Sequence, residues 1–226
     1  MRKMGESQVI DFFFSYLKDS FRDVFGAAAQ YTVGNFSGSQ DRKFSDFFAG
    51  TDSHNLLIEF KEKKEEYRRE QEKPLREKLC LTLDEEISEL SRQCHFIGWD
   101  KGRVTTQIEL NPYIDLVCRL WGIEGHLLSP SNHDHEVFVD NFIDGMVGVD
   151  HDSFVDYINH LNKVAGGGAS GADVPFRSIL YSRNDHGRLV GTRFENLGEL
   201  NQLRNLSPKP PRPAPRGPSG SSGPSF

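Results

Sequence analysis

Residues 43–61, KFSDFFAGTDSHNLLIEFK, contain the clearest local structural pattern in the chain. Two runs rich in β-forming residues, 44–50 and 56–61, lie on either side of the turn-forming cluster TDSH at 51–54. The pattern predicts two antiparallel strands joined by a tight turn. The rest of the chain can be interpreted outward from this hairpin.

The turn determines which residues of the two strands lie opposite each other, because side chains alternate between the faces of a strand. With Asp52 and Ser53 at its centre, Asp46 lies directly opposite Glu59. The face with Asp46, Glu59 and Lys61 is charged, and opposed carboxylates destabilise a sheet unless a cation compensates them. The other face holds an apolar set that requires a helix packed against it: Phe47, Ala49, Leu56, Ile58 and Phe60.

The flanking segments predict a mixed α/β core. Apolar residues recur at helical spacing over 6–25, which predicts a helix buried on one face. Residues 62–92 are rich in charge and helix formers, and Pro74 divides them into two helical pieces. The other elements are a strand over 29–36, a turn over 38–41, and a strand over 95–99 parallel to the second hairpin strand. The predicted order is α-β-β-β-α-β.

The second half of the chain predicts a helical cover and a terminal hairpin. Helices are expected over 108–121, 136–146 and 153–164, followed by a flexible glycine-rich connection at 166–171 and hairpin strands at 176–182 and 188–194. The Pro, Gly and Ser-rich end lacks core-forming residues and is expected to be disordered. The predicted segments are a core (1–104), a helical extension (105–165), a loop with the terminal hairpin (166–206) and a tail (207–226).

The core resembles that of the PD-(D/E)xK nuclease superfamily, which has a restriction-endonuclease-like fold, over roughly residues 6–99. The resemblance is carried by Asp46 on the second strand and by Glu59-Phe60-Lys61 on the third. Ser45 departs from the family pattern, in which a proline is usual at that position. The Glu-x-Lys triplet alone is common in charged chains, so the resemblance depends mainly on the order of the elements and on the aspartate opposite Glu59.

The resemblance implies a metal site and a catalytic lysine. Asp46 and Glu59, with the backbone carbonyl of Phe60, would bind Mg²⁺ or Mn²⁺, since these hard cations prefer oxygen ligands. Lys61 would orient the attacking water or the phosphate. In some members a carboxylate of the first helix joins the site, which here is Glu6 or, less favourably, Asp11. The implied function is metal-dependent hydrolysis of phosphodiester bonds, with DNA favoured.

Substrate contacts are assigned to Lys63, Lys64 and Arg68, which follow the hairpin. Residues 61–78 contain eight Lys or Arg and six Glu, a net charge of 8 − 6 = +2. The competing interpretation is a solvated helix face laced with ion pairs. The whole chain carries a net charge of −6, so nucleic acid would require this local basic patch or a partner.

Two other functions stay open. The first is a non-catalytic subunit that keeps the nuclease-like core and binds another protein. The second is a nuclease that is active only inside a complex, by analogy one of a defence or restriction system. A homodimer is compatible with either. Neither the substrate's sequence nor its structure can be read from the chain.

A second cluster, NHDHE at 132–136, contains transition-metal ligand types but precedes a predicted helix, where Asp and Asn caps are expected. We interpret it as a solvated cap loop. His95 begins a strand and is expected to be packed in the core. Asp52 is interpreted as a turn residue.

The cysteines and the apolar segments predict a cytoplasmic protein without a membrane partner. Cys80, Cys94 and Cys118 are too few and too widely spaced for a disulfide framework, so they are expected to be buried thiols in a reducing compartment. Charged residues interrupt the first apolar stretch, so no signal peptide is expected. No run approaches the roughly 20 apolar residues that a membrane-spanning helix needs.

Overall fold

The computed structural model describes residues 5–36 and 38–206, so the predicted disordered tail at 207–226 lies outside the described residues. The strands among them are Tyr31–Asn35 (β1), Phe47–Gly50 (β2), Asn55–Lys61 (β3), His95–Asp100 (β4), Ile108–Pro112 (β5), His133–Asp134 (β6), Pro175–Arg183 (β7) and Leu189–Asn196 (β8). They form a mixed eight-stranded sheet in the order β6-β5-β4-β3-β2-β1-β7-β8. The β3–β4 pair is parallel and the other neighbours are antiparallel.

Helices cover both faces of this sheet, which confirms the predicted mixed α/β class. The α-helices are Glu6–Phe25 (α1), Ser39–Lys43 (α2), Pro74–Leu81 (α3), Glu85–Cys94 (α4), Tyr113–Val117 (α5), His135–Ile143 (α6), His151–Val164 (α7) and Leu197–Leu206 (α8). Short 3-10 segments are Gly26–Ala28, Lys64–Glu72, Cys118–Trp121 and Gly171–Asp173.

The β2–β3 hairpin has the predicted register. Phe47 lies opposite Ile58, and Gly50 lies opposite Asn55 at the turn. Helix α1 packs on the apolar face, where the Phe13 ring lies 5.7 Å from Phe47 and 5.4 Å from Phe60 between centroids. The expected helix cover is therefore present, and the charged side chains are directed to the opposite face of the sheet.

The connection from β3 to β4 crosses the opposite face of the sheet. It contains the 3-10 segment Lys64–Glu72, then α3 and α4, and returns the chain so that Lys61 pairs beside Trp99. Pro74 divides the connection as predicted, because it occupies the first turn of α3, where a missing N–H has no cost. The Asp84 side chain caps α4 by accepting from the Ile87 amide at 2.8 Å.

Three predictions of secondary structure were wrong. The segment 38–41 is not a simple turn, because most of it belongs to α2. The predicted helix over 108–121 begins instead with β5, which pairs with β4 and buries Ile108 and Leu110. Strand β5 has only five residues, which are too few to distinguish the alternating pattern of a strand from the period of a helix. Helix α8 was not predicted; it buries Leu197 and Leu200.

The prediction of three free thiols was wrong for two cysteines. A disulfide joins Cys80 of α3 to Cys118, with a Cα–Cα distance of 5.4 Å. These residues are 38 positions apart, and only the packing of α3 near the 3-10 segment Cys118–Trp121 brings them together. Cys94 is free and buried, as expected. None of the described helices has the length and apolar character needed to cross a membrane.

Candidate functional site

Six charged side chains meet on the face of the sheet opposite α1, near the end of β3. They come from the residue before β2, from β3 and from the connection that follows it. We call them the charge cluster: Asp46, Glu59, Lys61, Glu70, Lys73 and Arg76. Sequence reasoning identified only the first three.

Glu59 is the centre of the charge cluster and is 0% exposed. Its Oε1 lies 2.6 Å from both Lys61 Nζ and Lys73 Nζ. Its Oε2 lies 3.5 Å from Arg76 Nη2. Burial alone would raise the pKa of Glu59, but Lys61, Arg76 and Lys73 hold it well below the ordinary value. Glu59 is therefore ionised and surrounded by cations.

Glu70 is a second fully buried carboxylate beside the first. Its Oε1 lies 2.8 Å from Lys73 Nζ and 3.1 Å from Lys61 Nζ. Its Oε2 accepts a hydrogen bond from the Tyr113 hydroxyl at 2.6 Å. Arg76 Nε lies 3.6 Å from the same oxygen, and Arg76 Nη1 donates to the Phe44 carbonyl at 3.2 Å. Two glutamates thus share the same three cations.

The carboxylates keep the two buried cations, Lys61 and Arg76, in their charged forms. Loss of hydration would lower the pKa of Lys61, but Glu59, Glu70 and Asp46 raise it. Burial likewise opposes the charge of Arg76, whereas Tyr113, Glu59 and Glu70 raise the pKa of its guanidinium group. Both side chains are positively charged and fixed in place.

Asp46 lies one residue before β2 and is partly buried. Its Oδ2 accepts a hydrogen bond from the Phe60 amide at 2.7 Å, which fixes the carboxyl beside β3. Burial, followed by the nearby charge of Glu59, raises the pKa of Asp46 to about 8. This shift favours the protonated form of the Asp46 carboxyl.

Glu6, the candidate ligand on α1, lies close to the charge cluster. Burial raises the pKa of its carboxyl, and the charges of Lys61 and Glu59 act on it in opposite directions. Asp11, the less favoured candidate, is exposed farther along α1.

The assigned substrate residues lie on the outer side of the 3-10 segment Lys64–Glu72 and just before it. Lys63 Nζ lies 3.6 Å from Glu62 Oε1, and its side chain is half-exposed. Lys64 Nζ lies 3.9 Å from Glu109 Oε1 and 5.6 Å from the Trp99 ring centroid. Arg68 is exposed. The ion-pair partners of Lys63 and Lys64 are Glu62 and Glu109, which lie outside the charge cluster.

The second sequence candidate, the residues at 132–136, does not converge on a common point. Asp134 pairs with Lys101, while the buried ring of His135 packs against Phe12 and Tyr16 with centroids 5.4 and 4.8 Å apart.

Across the residues that the structure describes, no group of three or more His, Cys, Asp or Glu side chains could hold a metal ion. His95 is packed as predicted: its Nδ1 contacts the Tyr157 hydroxyl at 2.7 Å.

Carboxylate oxygens are the donor type that a hard divalent cation prefers, and Glu70 Oε1 has no aligned hydrogen-bond donor within the described part of the chain. The charge cluster is nevertheless not a group of three or more ligands that could hold a metal ion among the described residues. The ammonium groups of Lys61 and Lys73 fill the space between Glu59 and Glu70. A metal ion would therefore bind at the expense of a lysine contact.

No single helical period links Glu70, Lys73 and Arg76. Glu70 lies in the 3-10 segment Lys64–Glu72, Lys73 follows that segment, and Arg76 lies in α3. Sequence reasoning therefore had no local signal that separates these three residues from the other charges of the segment.

Comparison of the chain with family models, with curated proteins and with solved structures finds no match.

Proposed function

We propose that the protein is a metal-dependent nuclease of the PD-(D/E)xK type that hydrolyses phosphodiester bonds, with DNA as the favoured substrate. The observation that carries this proposal is the buried Glu59–Lys61 pair next to Asp46, whose pKa is raised to about 8. Strongly shifted carboxyl groups that share a face with a fixed lysine are typical of functional sites. The order α1, β1, β2, β3, crossover helices and parallel β4 supports the same assignment.

The energetics of the charge cluster also favour a function. Burying an ion costs several kcal/mol per charge, and packed apolar residues of similar volume are often as stable as a buried ion pair. The chain nevertheless buries Glu59, Glu70 and Arg76 completely. A role in binding or converting a substrate would explain why the chain keeps charged residues at these buried positions.

Each residue has a distinct role in the proposed reaction. Asp46 and Glu59 would bind Mg²⁺ or Mn²⁺, which supplies charge stabilisation at the phosphate and a water of lowered pKa. Lys61 is held by Glu59 and Glu70 at 2.6 and 3.1 Å, so its ammonium group is pre-positioned to orient a phosphate oxygen or a water. Lys63, Lys64 and Arg68 would contact backbone phosphates.

The test uses Asp46→Asn, because an amide resembles the protonated carboxyl and can still accept from the Phe60 amide. Wild type is incubated with plasmid, linear duplex, single-stranded DNA and RNA in Mg²⁺ or Mn²⁺, with and without chelator. We expect cleavage that requires metal and that falls about 100-fold or more in Asp46→Asn. Asp52→Asn in the hairpin turn is the matched control. Cleavage that survives chelation, or that Asp46→Asn leaves unchanged, contradicts the proposal.

The second candidate is a non-catalytic protein-binding subunit with the same core. It is favoured by the fact that both oxygens of Glu59 already lie within 3.5 Å of a cation, so the charge cluster is compensated without metal. Calorimetry with millimolar Mg²⁺ or Mn²⁺ separates the two, since a ligand that binds the native state also raises its thermal stability. Absence of both effects would support the binding subunit.

Partners follow from the proposal. With a net charge of −6, a nuclease of this type gains DNA affinity most simply from a protein partner, as in a defence or restriction-type complex. A homodimer would serve the same purpose. The predicted cytoplasmic location rested on free thiols, and the Cys80–Cys118 disulfide removes that ground, because disulfides are rare in reducing compartments. Mass spectrometry of the purified protein with and without reductant tests whether this disulfide forms.

A further inference from the structure

A cavity of about 200 Å³ lies between the last turns of α1, the start of β1 and the turn end of the β7–β8 hairpin. It is separate from the charge cluster. Glu6 approaches that cluster from the first turn of α1, whereas Lys18 lies more than three turns later, roughly 18 Å along the helix axis. The cavity is smaller than the roughly 300–1,000 Å³ of pockets that enclose a drug-sized ligand, so it fits one small group of a ligand.

The lining of this cavity is mainly basic. It contains three cations and one carboxylate, a net charge of 3 − 1 = +2: Lys18, Arg22, Arg183 and Asp19. Arg22 Nη1 lies 3.4 Å from Asp19 Oδ1, and Arg22 Nε lies 3.6 Å from Asp23 Oδ1, which is outside the lining. These carboxylates compensate Arg22 only weakly, because more than half of each of the three side chains is exposed to water.

Lys18 and Arg183 are the uncompensated cations of the cavity. Lys18 Nζ lies 5.6 Å from the Phe14 ring centroid, and Arg183 Nη1 donates to the Gly187 carbonyl at 2.7 Å. Within the described ranges, neither side chain has a carboxylate partner. An anion could therefore contact two positive charges here without displacing a buried ion pair.

A buried tyrosine adds a hydroxyl donor to the lining. Tyr31 is 6% exposed, and its ring is stacked between Phe21 at 5.1 Å and Tyr181 at 5.5 Å, measured between centroids. Burial raises the pKa of Tyr31, so the hydroxyl keeps its proton. Among the residues with described positions, this hydroxyl has no hydrogen-bond partner, so it can donate to a ligand.

The chemistry of these groups selects a phosphoryl group. Arginine donates two parallel hydrogen bonds to phosphate oxygens, and lysine adds a point charge. A phosphate monoester carries about −1.5 to −2 charges at pH 7, which matches the two uncompensated cations better than the single charge of a carboxylate does.

We propose that this cavity binds the terminal phosphate of a ligand through Lys18, Arg22 and Arg183, with a hydrogen bond from the Tyr31 hydroxyl. The site needs no metal ion and goes beyond the proposed nuclease activity. Its ligand is either a phosphorylated end of nucleic acid or a small phosphorylated molecule, since both present the same group.

The first experiment measures binding of inorganic phosphate to the whole chain by calorimetry and by melting temperature, with chelator present and ionic strength held constant with chloride. We expect phosphate to bind wild type and to raise its melting temperature, since a ligand of the native state stabilises it. Arg183→Gln should weaken phosphate binding about tenfold or more. Arg188→Gln is the matched control and should bind as wild type, because Arg188 is exposed on the same hairpin outside the lining.

Two further variants test the other sides of the cavity. Lys18→Gln removes a charge from α1 and should also weaken phosphate binding about tenfold, so that a local change in the hairpin cannot explain the result. Tyr31→Phe keeps the stacked ring and removes only the hydroxyl. We expect it to weaken phosphate binding about threefold to tenfold and to leave the melting temperature without phosphate nearly unchanged.

Oligonucleotides of one sequence with and without a terminal phosphate, and a nucleoside monophosphate, distinguish the two sources. A preference for the phosphorylated oligonucleotide that Arg183→Gln loses identifies the end of nucleic acid. Binding of the monophosphate without that preference identifies a small phosphorylated molecule. Equal phosphate affinity in wild type and Arg183→Gln, or a response to chloride as large as that to phosphate, overturns the inference. None of these measurements requires metal or cleavage, so their failure leaves the nuclease proposal intact.

Discussion

The two ends of β3 bury charge on the same face of the sheet in opposite ways. At its carboxyl end, Glu59 lies among three cations. At its amino end, Arg204 of α8 is 6% exposed, and the oxygens that accept from its Nη2 belong to neutral side chains, Asn55 at 3.0 Å and Thr32 at 3.4 Å. The carboxyl end of β3 is therefore a network of paired full charges, whereas the guanidinium group at the amino end donates to neutral side chains.

The pKa values show what the difference means. Burial lowers the pKa of Arg204 to about 10, whereas the pKa of Arg76, which is even more deeply buried, is raised. Loss of hydration acts on both groups, so the carboxylates and the phenol beside Arg76 account for the opposite directions. Burial alone therefore does not decide how firmly a charge is held; the number of opposite charges in contact does.

The largest expected effect comes from removing a member of the network. Arg76→Met leaves Glu59 and Glu70 with less compensation in a buried site, and we expect a loss of about 3–5 kcal/mol in the free energy of unfolding. Urea denaturation at pH 7 measures it. A loss below about 1 kcal/mol would show that the buried carboxylates do not depend on Arg76.

An intermediate effect is expected in the pH dependence of stability. Because the pKa of Asp46 rises from 3.8 in the unfolded chain to about 8 in the folded protein, the folded state binds the extra proton between these values. Its contribution to stability is therefore greatest at low pH and decreases as pH rises from about 4 to 8.

Asp46→Asn cannot titrate, so the decrease should be smaller in that variant by about 1–3 kcal/mol. Urea denaturation of the metal-free proteins at pH 5 and pH 8 measures the difference, and the histidines common to both proteins cancel. Parallel pH profiles for wild type and Asp46→Asn would mean that this carboxyl is ionised throughout.

The smallest effect is expected at the other end of β3. Arg204→Met removes hydrogen bonds to neutral oxygens but also relieves a desolvated charge, so the loss should be about 1 kcal/mol or less. The same denaturation experiment applies. A loss as large as that of Arg76→Met would remove the distinction between the two ends.

The hairpin could be predicted because its information is local. Alternating side chains around the turn at 51–54 fix a register in which Phe47 lies opposite Ile58, and a slip of one residue would expose the apolar face. The same alternation placed Glu59 and Lys61 on one face. The placement of these two candidate site residues therefore followed from the local pattern, whereas their roles are those that the family resemblance implies.

The partners of Glu59 depend on tertiary packing and were missed. Glu70, Lys73 and Arg76 lie in a segment whose charges are typical of a solvated helix, and only the crossover against the sheet buries them. The Cys80–Cys118 disulfide has the same origin, since it joins elements that are distant in sequence. Patterns of neighbouring residues cannot predict contacts between elements that are distant in sequence.

The parallel pairing of β3 with β4 also orders the events of folding. The β2–β3 hairpin closes through a short turn, whereas Glu70 and Arg76 reach Glu59 only after residues 62–94 have crossed the sheet. Until then Asp46 and Glu59 face each other in water, where hydration and a protonatable carboxyl limit their repulsion. We therefore predict that the ionic contacts form late in folding, in which case Arg76→Met accelerates unfolding more than it slows refolding.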